Sequence, residues 1–216
     1  MNVPTMVRVA ALTFLTGVLA ACGEAPTGAV EQKHEGLRPP YDAAAAEGTN
    51  LLLGLGDTQT SITVDPNATD FYRVGAHWIY IPRGAVCRLD SSYGVGEWDK
   101  DCTSETRRIT IPVTVGERNG HALIVFGRDM RFKPTSDPLK SVYLFMREPS
   151  LDVRKYAILW EGPGGEWINE SVTDPTLRAF RVSGLWVARR VKHFSGYNVS
   201  LGFHNEEMQD PTMFGF

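Results

Sequence analysis

The 216-residue chain lacks most of the patterns on which enzyme families are built. Cysteine occurs three times, never as a Cys-x-x-Cys pair, and His34, His77, His121, His193 and His204 are scattered. No spaced ligand set for a metal results, so none is expected. A Gly-x-Ser-x-Gly elbow and a phosphate-binding glycine loop are both missing, which leaves no support for elbow-serine hydrolysis or nucleotide binding. Charge of neither sign dominates, with 22 Lys and Arg against 25 Asp and Glu, and no basic cluster argues for nucleic acid. The expectation is a protein without cofactor, metal or catalytic residues.

What is present begins with a targeting pattern. Residues 1–21 carry one charge, Arg8, then an apolar run from Val9 to Leu19 that is too short to span a bilayer, which takes about 20 residues. The run ends in Leu19-Ala20-Ala21-Cys22, small residues before a cysteine, which is a lipobox. Residues 1–21 are therefore expected to be a lipoprotein signal peptide, and Cys22 the lipidated first residue of the mature chain. Its acyl chains would each add about 0.8 kcal/mol per buried methylene to membrane attachment. Gly23 rather than Asp at the next position fits the outer membrane of a bacterial envelope. Loss of Arg8 takes the net charge from −3 to −4.

Residues 22–50 contain Pro26, Pro39-Pro40, Ala43 to Ala46 and few large apolar side chains. Such a stretch cannot bury enough surface to offset its ordering entropy, so it reads as a disordered tether. Residues 51–202 form one domain, and residues 203–216 a loose tail without strand pattern.

The domain's apolar residues come in short alternating runs. Leu51 to Leu55, Ser61 to Val64, Phe71 to Val74, His77 to Ile81, Arg108 to Val115, His121 to Phe126 and Ser141 to Met146 read as strands. So do Lys155 to Trp160, Glu166 to Val172, Ala179 to Val182, Leu185 to Lys192 and Tyr197 to Leu201. Asn119-Gly120 marks a tight hairpin, because a type I′ turn needs positive φ at both central residues. Pro112 cannot donate to a ladder, so its strand is expected at an edge or at a bulge. The fold class is all-β, a Greek-key-type antiparallel β-sandwich following the signal peptide and tether.

The organising stretch is His77 to Val115, two strand patterns joined by a loop with Cys87 and Cys102 near its ends. In an oxidising envelope these two are expected to form a disulfide closing a loop of about 15 residues, worth about 3 kcal/mol. The loop carries Tyr93, Trp98, Asp99 and Asp101, an aromatic pair beside acids that could grip a sugar or calcium. Calcium loops use more oxygen ligands at tighter spacing. The plainer alternative has Trp98 covering the edge of the sandwich while the acids solvate the turn.

Three segments in order carry a family resemblance. Ile81-Pro82-Arg83-Gly84-Ala85-Val86 resembles the Ile-Pro-x-Gly-Ala signature of the ZU-five domain of ankyrins and netrin receptors. Phe126 to Phe132, Lys133-Pro134 and Val142-Tyr143-Leu144 are similar to its later aromatic, proline and strand pattern, and His193-Phe194-Ser195-Gly196-Tyr197 to a segment near its C-terminal end. The resemblance covers Ser61 to Gly202, and departs from the family where Asp65-Pro66-Asn67 stands in place of a Gly-Gly turn. It implies a β-sandwich used mainly for protein contacts. It also implies a candidate self-cleavage site, since some relatives cleave between Phe and Ser of the triplet matched by His193, Phe194 and Ser195. The alternative is that Ser195-Gly196 turns the chain, with His193 and Tyr197 hydrogen-bonding at the corner.

The resulting expectation is a lipid-anchored envelope module that touches the membrane through its anchor and binds another envelope protein or serves as structure. A self-cleaving domain and a carbohydrate-binding module are the alternatives.

Overall fold

In the computed structural model, which describes Leu37, Pro39 and residues 57–148, 156–183 and 185–201, the alternating runs become eleven antiparallel strands. They are β1 (Thr58–Val64), β2 (Asp70–Val74), β3 (His77–Ile81), β4 (Ile109–Arg118), β5 (His121–Phe126) and β6 (Val142–Arg147). The set continues with β7 (Tyr156–Glu161), β8 (Trp167–Ile168), β9 (Phe180–Ser183), β10 (Trp186–Val191) and β11 (Gly196–Leu201). One sheet has the order β1-β4-β5-β11-β7-β8 and the other β2-β3-β6-β10-β9. Neighbours distant in sequence, such as β1 with β4 and β11 between β5 and β7, make this the expected all-β sandwich.

Period two decides which side chains meet between the sheets. Ile62 and Val64 of β1, Ile109, Ile111 and Val113 of β4, and Ala122, Ile124 and Phe126 of β5 are buried from one sheet. Ile79 and Ile81 of β3, Val142, Leu144 and Met146 of β6, and Val187 and Val191 of β10 meet them from the other. Two turns show why their residues were chosen. Asn119 and Gly120 have φ of 54° and 76° in the β4–β5 hairpin, and Gly84 has φ of 73° where Ala85 N–H donates to Pro82 O at 3.1 Å.

Two strand expectations need correction. Pro112 lies on an interior strand, because β4 is flanked by β1 and β5. Its ring is tolerated because β5 stops opposite Val113, and beyond that point Gly127 N–H donates to Pro112 O at 2.8 Å. The expected strand Glu166 to Val172 is cut to Trp167–Ile168. Asn169 then accepts a hydrogen bond from Ser171 N–H and caps a 3₁₀ turn over Glu170–Val172.

The signal peptide, Cys22, the Leu51 to Leu55 strand and the tail from residue 203 lie outside the described residues. Of the stretch read as tether, Leu37 and Pro39 are described, and both are buried. Leu37 packs with Tyr80, Tyr143, Phe145 and Ala188 on the outer face of the five-stranded sheet. No helix among the described residues is long and apolar enough to cross a membrane.

Candidate functional site

The sequence elements singled out for function converge at one end of the sandwich, where the loop after β3 folds over the β10–β11 connection. Cys87 and Cys102 are joined with Cα atoms 5.6 Å apart, which closes the base of the loop. Buried Arg131 fastens its middle: the guanidinium donates to the carbonyls of Ser92 at 2.8 Å, Lys100 at 2.6 Å and Asp101 at 3.4 Å. One side chain thereby ties three loop carbonyls together with charge-assisted hydrogen bonds.

The pinned loop turns its aromatics inward. Trp98 is 6% exposed and stacks on His193 with centroids 3.8 Å apart, while its edge meets Trp160 at 4.9 Å. Tyr93 packs against the same imidazole at 6.0 Å. Burial, with the charges of Asp129 and Glu170, raises the Tyr93 phenol, so it remains a proton donor. The loop acids pair with lysines, Asp99 with Lys192 at 2.7 Å and Asp101 with Lys133 at 3.4 Å. A cavity of about 10 Å³ beside Trp98, Asp99 and Lys192 has room for about one water-sized sphere and not for a sugar ring. Among the described residues no three of His, Cys, Asp and Glu converge as a metal site would require.

Beneath the loop lies a buried polar knot. Arg189 is fully buried, with Nη1 donating to Ile158 O at 2.6 Å, Nη2 paired with Glu170, and the guanidinium 5.5 Å from the Tyr197 ring centroid. His193 Nε2 lies 3.4 Å from the other Glu170 oxygen. Burial pushes the Glu170 carboxyl up, but His193 and Arg189 outweigh it and hold the group below the ordinary carboxylate range. The carboxylate thus stays ionised inside the sandwich, where removing either charge alone would leave the other uncompensated.

The His193-Phe194-Ser195 triplet forms the corner between β10 and β11. Tyr197 OH donates to His193 O at 2.6 Å and closes it, while the Phe194 ring is buried, stacked on Phe126 at 4.1 Å and edge-on to Phe132 at 4.9 Å. Tyr93 OH donates to the Phe194 carbonyl oxygen at 2.6 Å, and His193 Nδ1 is 3.4 Å from the same atom. A donor is therefore aimed at the carbonyl that a self-cleaving serine would attack. Ser195 Oγ, however, donates to Glu161 O at 3.0 Å, so its proton is directed to a backbone acceptor and not to the imidazole.

The structure thus brings together Tyr93, Trp98, His193, Phe194 and Ser195, and places Asp99 and Asp101 at the rim with their lysines. Arg131, Glu170 and Arg189 were missed in the sequence. Arg189 could have been found, because it shares strand parity with Val187 and Val191 and so had to point inward; Glu170 has no such signal. Compared with known proteins, the chain matches no family model and no curated protein sequence.

Proposed function

We propose that this chain is a lipid-anchored protein of the bacterial envelope, attached through Cys22 and placed at the outer membrane. Its ZU-five-type sandwich makes a contact with another envelope protein. It acts without catalysis, and the knot around His193 is its internal lock. The observation that carries this reading is the outer face of the five-stranded sheet. Phe71, Trp78, Tyr80, Tyr143, Phe145, Phe180 and Trp186 gather there around Ala188; Tyr80, Tyr143 and Phe145 are buried and the other four half-buried, and aromatic side chains of this kind are enriched where proteins meet. A photo-crosslinking side chain at Arg73, exposed on that face, is expected to capture a discrete envelope protein in intact cells. The same group at Thr110, exposed on the other sheet, is expected to capture none. Equal labelling from both positions would remove the contact reading, and glycan binding that depends on Trp78 and Trp186 would replace it with the carbohydrate module.

The bond from Tyr93 to the Phe194 carbonyl favours a second reading, self-cleavage. Ser195 Oγ would attack the Phe194 carbonyl carbon, the amide nitrogen would leave as the Ser195 amine, and water would hydrolyse the ester to free the Phe194 carboxylate. With the hydroxyl bonded to Glu161 O, the expected result is an intact chain. A mass species ending at Phe194, absent in Ser195→Ala, would establish cleavage.

A further inference from the structure

The aromatic face has an ordered layout. Cross-strand pairing places Phe71 beside Tyr80 and Tyr80 beside Tyr143 in one row, and Trp78, Phe145, Ala188 and Phe180 in the next. Tyr80, Tyr143 and Phe145 are nevertheless buried, although they point away from the sandwich core. Within the second row Ala188 has no side chain beyond Cβ where its paired neighbours Phe145 and Phe180 carry rings. Leu37 is 2% exposed and packs in this group with Ala188, and Pro39 is also buried.

Physical chemistry says why such a segment belongs there. A leucine buried this fully is stabilised relative to exposure, because its apolar surface leaves water. The sequence Leu37-Arg38-Pro39-Pro40 carries a proline pair whose φ is preset, so less ordering entropy opposes docking. Aromatic rings lining a groove are the usual partners of extended proline segments. Residues 40–56 join the segment to the rest of the same chain, so its docking is intramolecular and loses less freedom than binding of a separate molecule.

We propose that the outer face of the five-stranded sheet is a docking surface for an extended Leu-x-Pro segment, and that the chain's own Leu37 and Pro39 occupy it in cis. A partner that binds here presents the same chemistry, an apolar residue followed at the second position by proline, and must displace the chain's own segment. That statement about a partner rests on the protein-contact reading; the cis contact does not.

The test uses the full chain with Leu37→Asp, a change outside both sheets, and a synthetic peptide of residues 32–43. Emission from Trp78 and Trp186, which flank the face, is the readout, with Trp78→Phe and Trp186→Phe variants assigning it. Leu37→Asp is expected to shift the emission of the free chain toward that of exposed indole, and the peptide to restore it saturably. Its binding is expected at least tenfold tighter than to the wild-type chain, where the site is filled. A peptide carrying Leu37→Asp and Pro39→Ser should not bind. Unchanged emission in the variant, equal binding to both chains, equal binding of the altered peptide, or a glycan binding the variant where the peptide does not would each overturn the proposal. If the peptide binds as expected but crosslinking from Arg73 captures nothing, the cis docking stands and the protein-contact reading falls.

Discussion

The two outer faces of this sandwich differ more than its two inner faces do. Where β1 meets β4, the outward side is Gln59, Ser61, Thr63, Thr110, Pro112 and Thr114, and paired Thr63 and Thr110 share a hydroxyl contact at 3.2 Å. Across the core, the outward side of β3, β6 and β10 is largely aromatic, with Tyr80, Tyr143 and Phe145 buried, Leu37 packed among them and the Tyr80 hydroxyl donating to Leu139 O at 3.1 Å. Water satisfies the polar strip of the first face, as it does for one side of many antiparallel sheets, although Ala157 and Leu159 on the outward side of β7 in the same sheet are buried. The second needs a cover made of protein. The contrast shows within β10 alone, where fully buried Arg189 points into the sandwich and Ala188, its neighbour, packs with Leu37. Polarity here follows the available partners and not the simple division of apolar inside and charged outside.

The largest effect should come from breaking the aromatic side. Phe145→Ala removes a fully buried ring from the outer face and is expected to cost about 3 to 5 kcal/mol in urea unfolding. Thr110→Ala on the other outer face should stay within about 0.5 kcal/mol. Equal costs would mean that the two faces contribute alike.

Acid should sharpen the comparison, because the aromatic sheet carries a buried imidazole. His77 Nδ1 accepts from Arg147 N–H at 3.0 Å and ties β3 to the end of β6. Burial, helped by the Arg147 charge, lowers the His77 pKa from its ordinary 6.5 to about 4. Between those values the unfolded chain binds a proton that the folded chain refuses, so stability falls as pH falls, by about 3 kcal/mol over the window. The portion above pH 5 is clear of most carboxylate titration, and unfolding midpoints there should flatten in His77→Gln. An unchanged slope would remove His77 from the account.

The disulfide belongs to neither outer face and provides the control. Cys87→Ser with Cys102→Ser releases a loop spanning 15 positions and is expected to cost about 3 kcal/mol. Trp98 should become accessible, since its stack on His193 depends on the pinned loop, while emission from Trp78 and Trp186 should not change. A change on the aromatic face would show that the loop and that face are coupled.

Most of the fold was legible because alternation and turn chemistry are local. His121 to Phe126 and His77 to Ile81 were read with their observed ends, and Asn119-Gly120 took the positive φ that its turn requires. The shortened β8 was not legible, because competition from the Asn169 side chain for Ser171 N–H depends on a cap and not on periodicity. At the site, Tyr93 and Trp98 stood out by residue type, and the His193 corner through the family resemblance. Arg131 did not, because its partners are carbonyls of Ser92, Lys100 and Asp101 about thirty or more positions earlier. Leu37 escaped for a related reason: a single apolar residue in a polar stretch has no period to reveal it.

The most direct test of the covered aromatic face is a nuclear Overhauser measurement on the full chain, with labelled Leu and Ala methyl groups and aromatic rings. Cross-peaks from the Leu37 methyls to the Ala188 methyl and to the rings of Tyr80, Tyr143 and Phe145 are expected, and should vanish in Leu37→Asp. Absence of these cross-peaks in the folded wild-type chain would contradict the account.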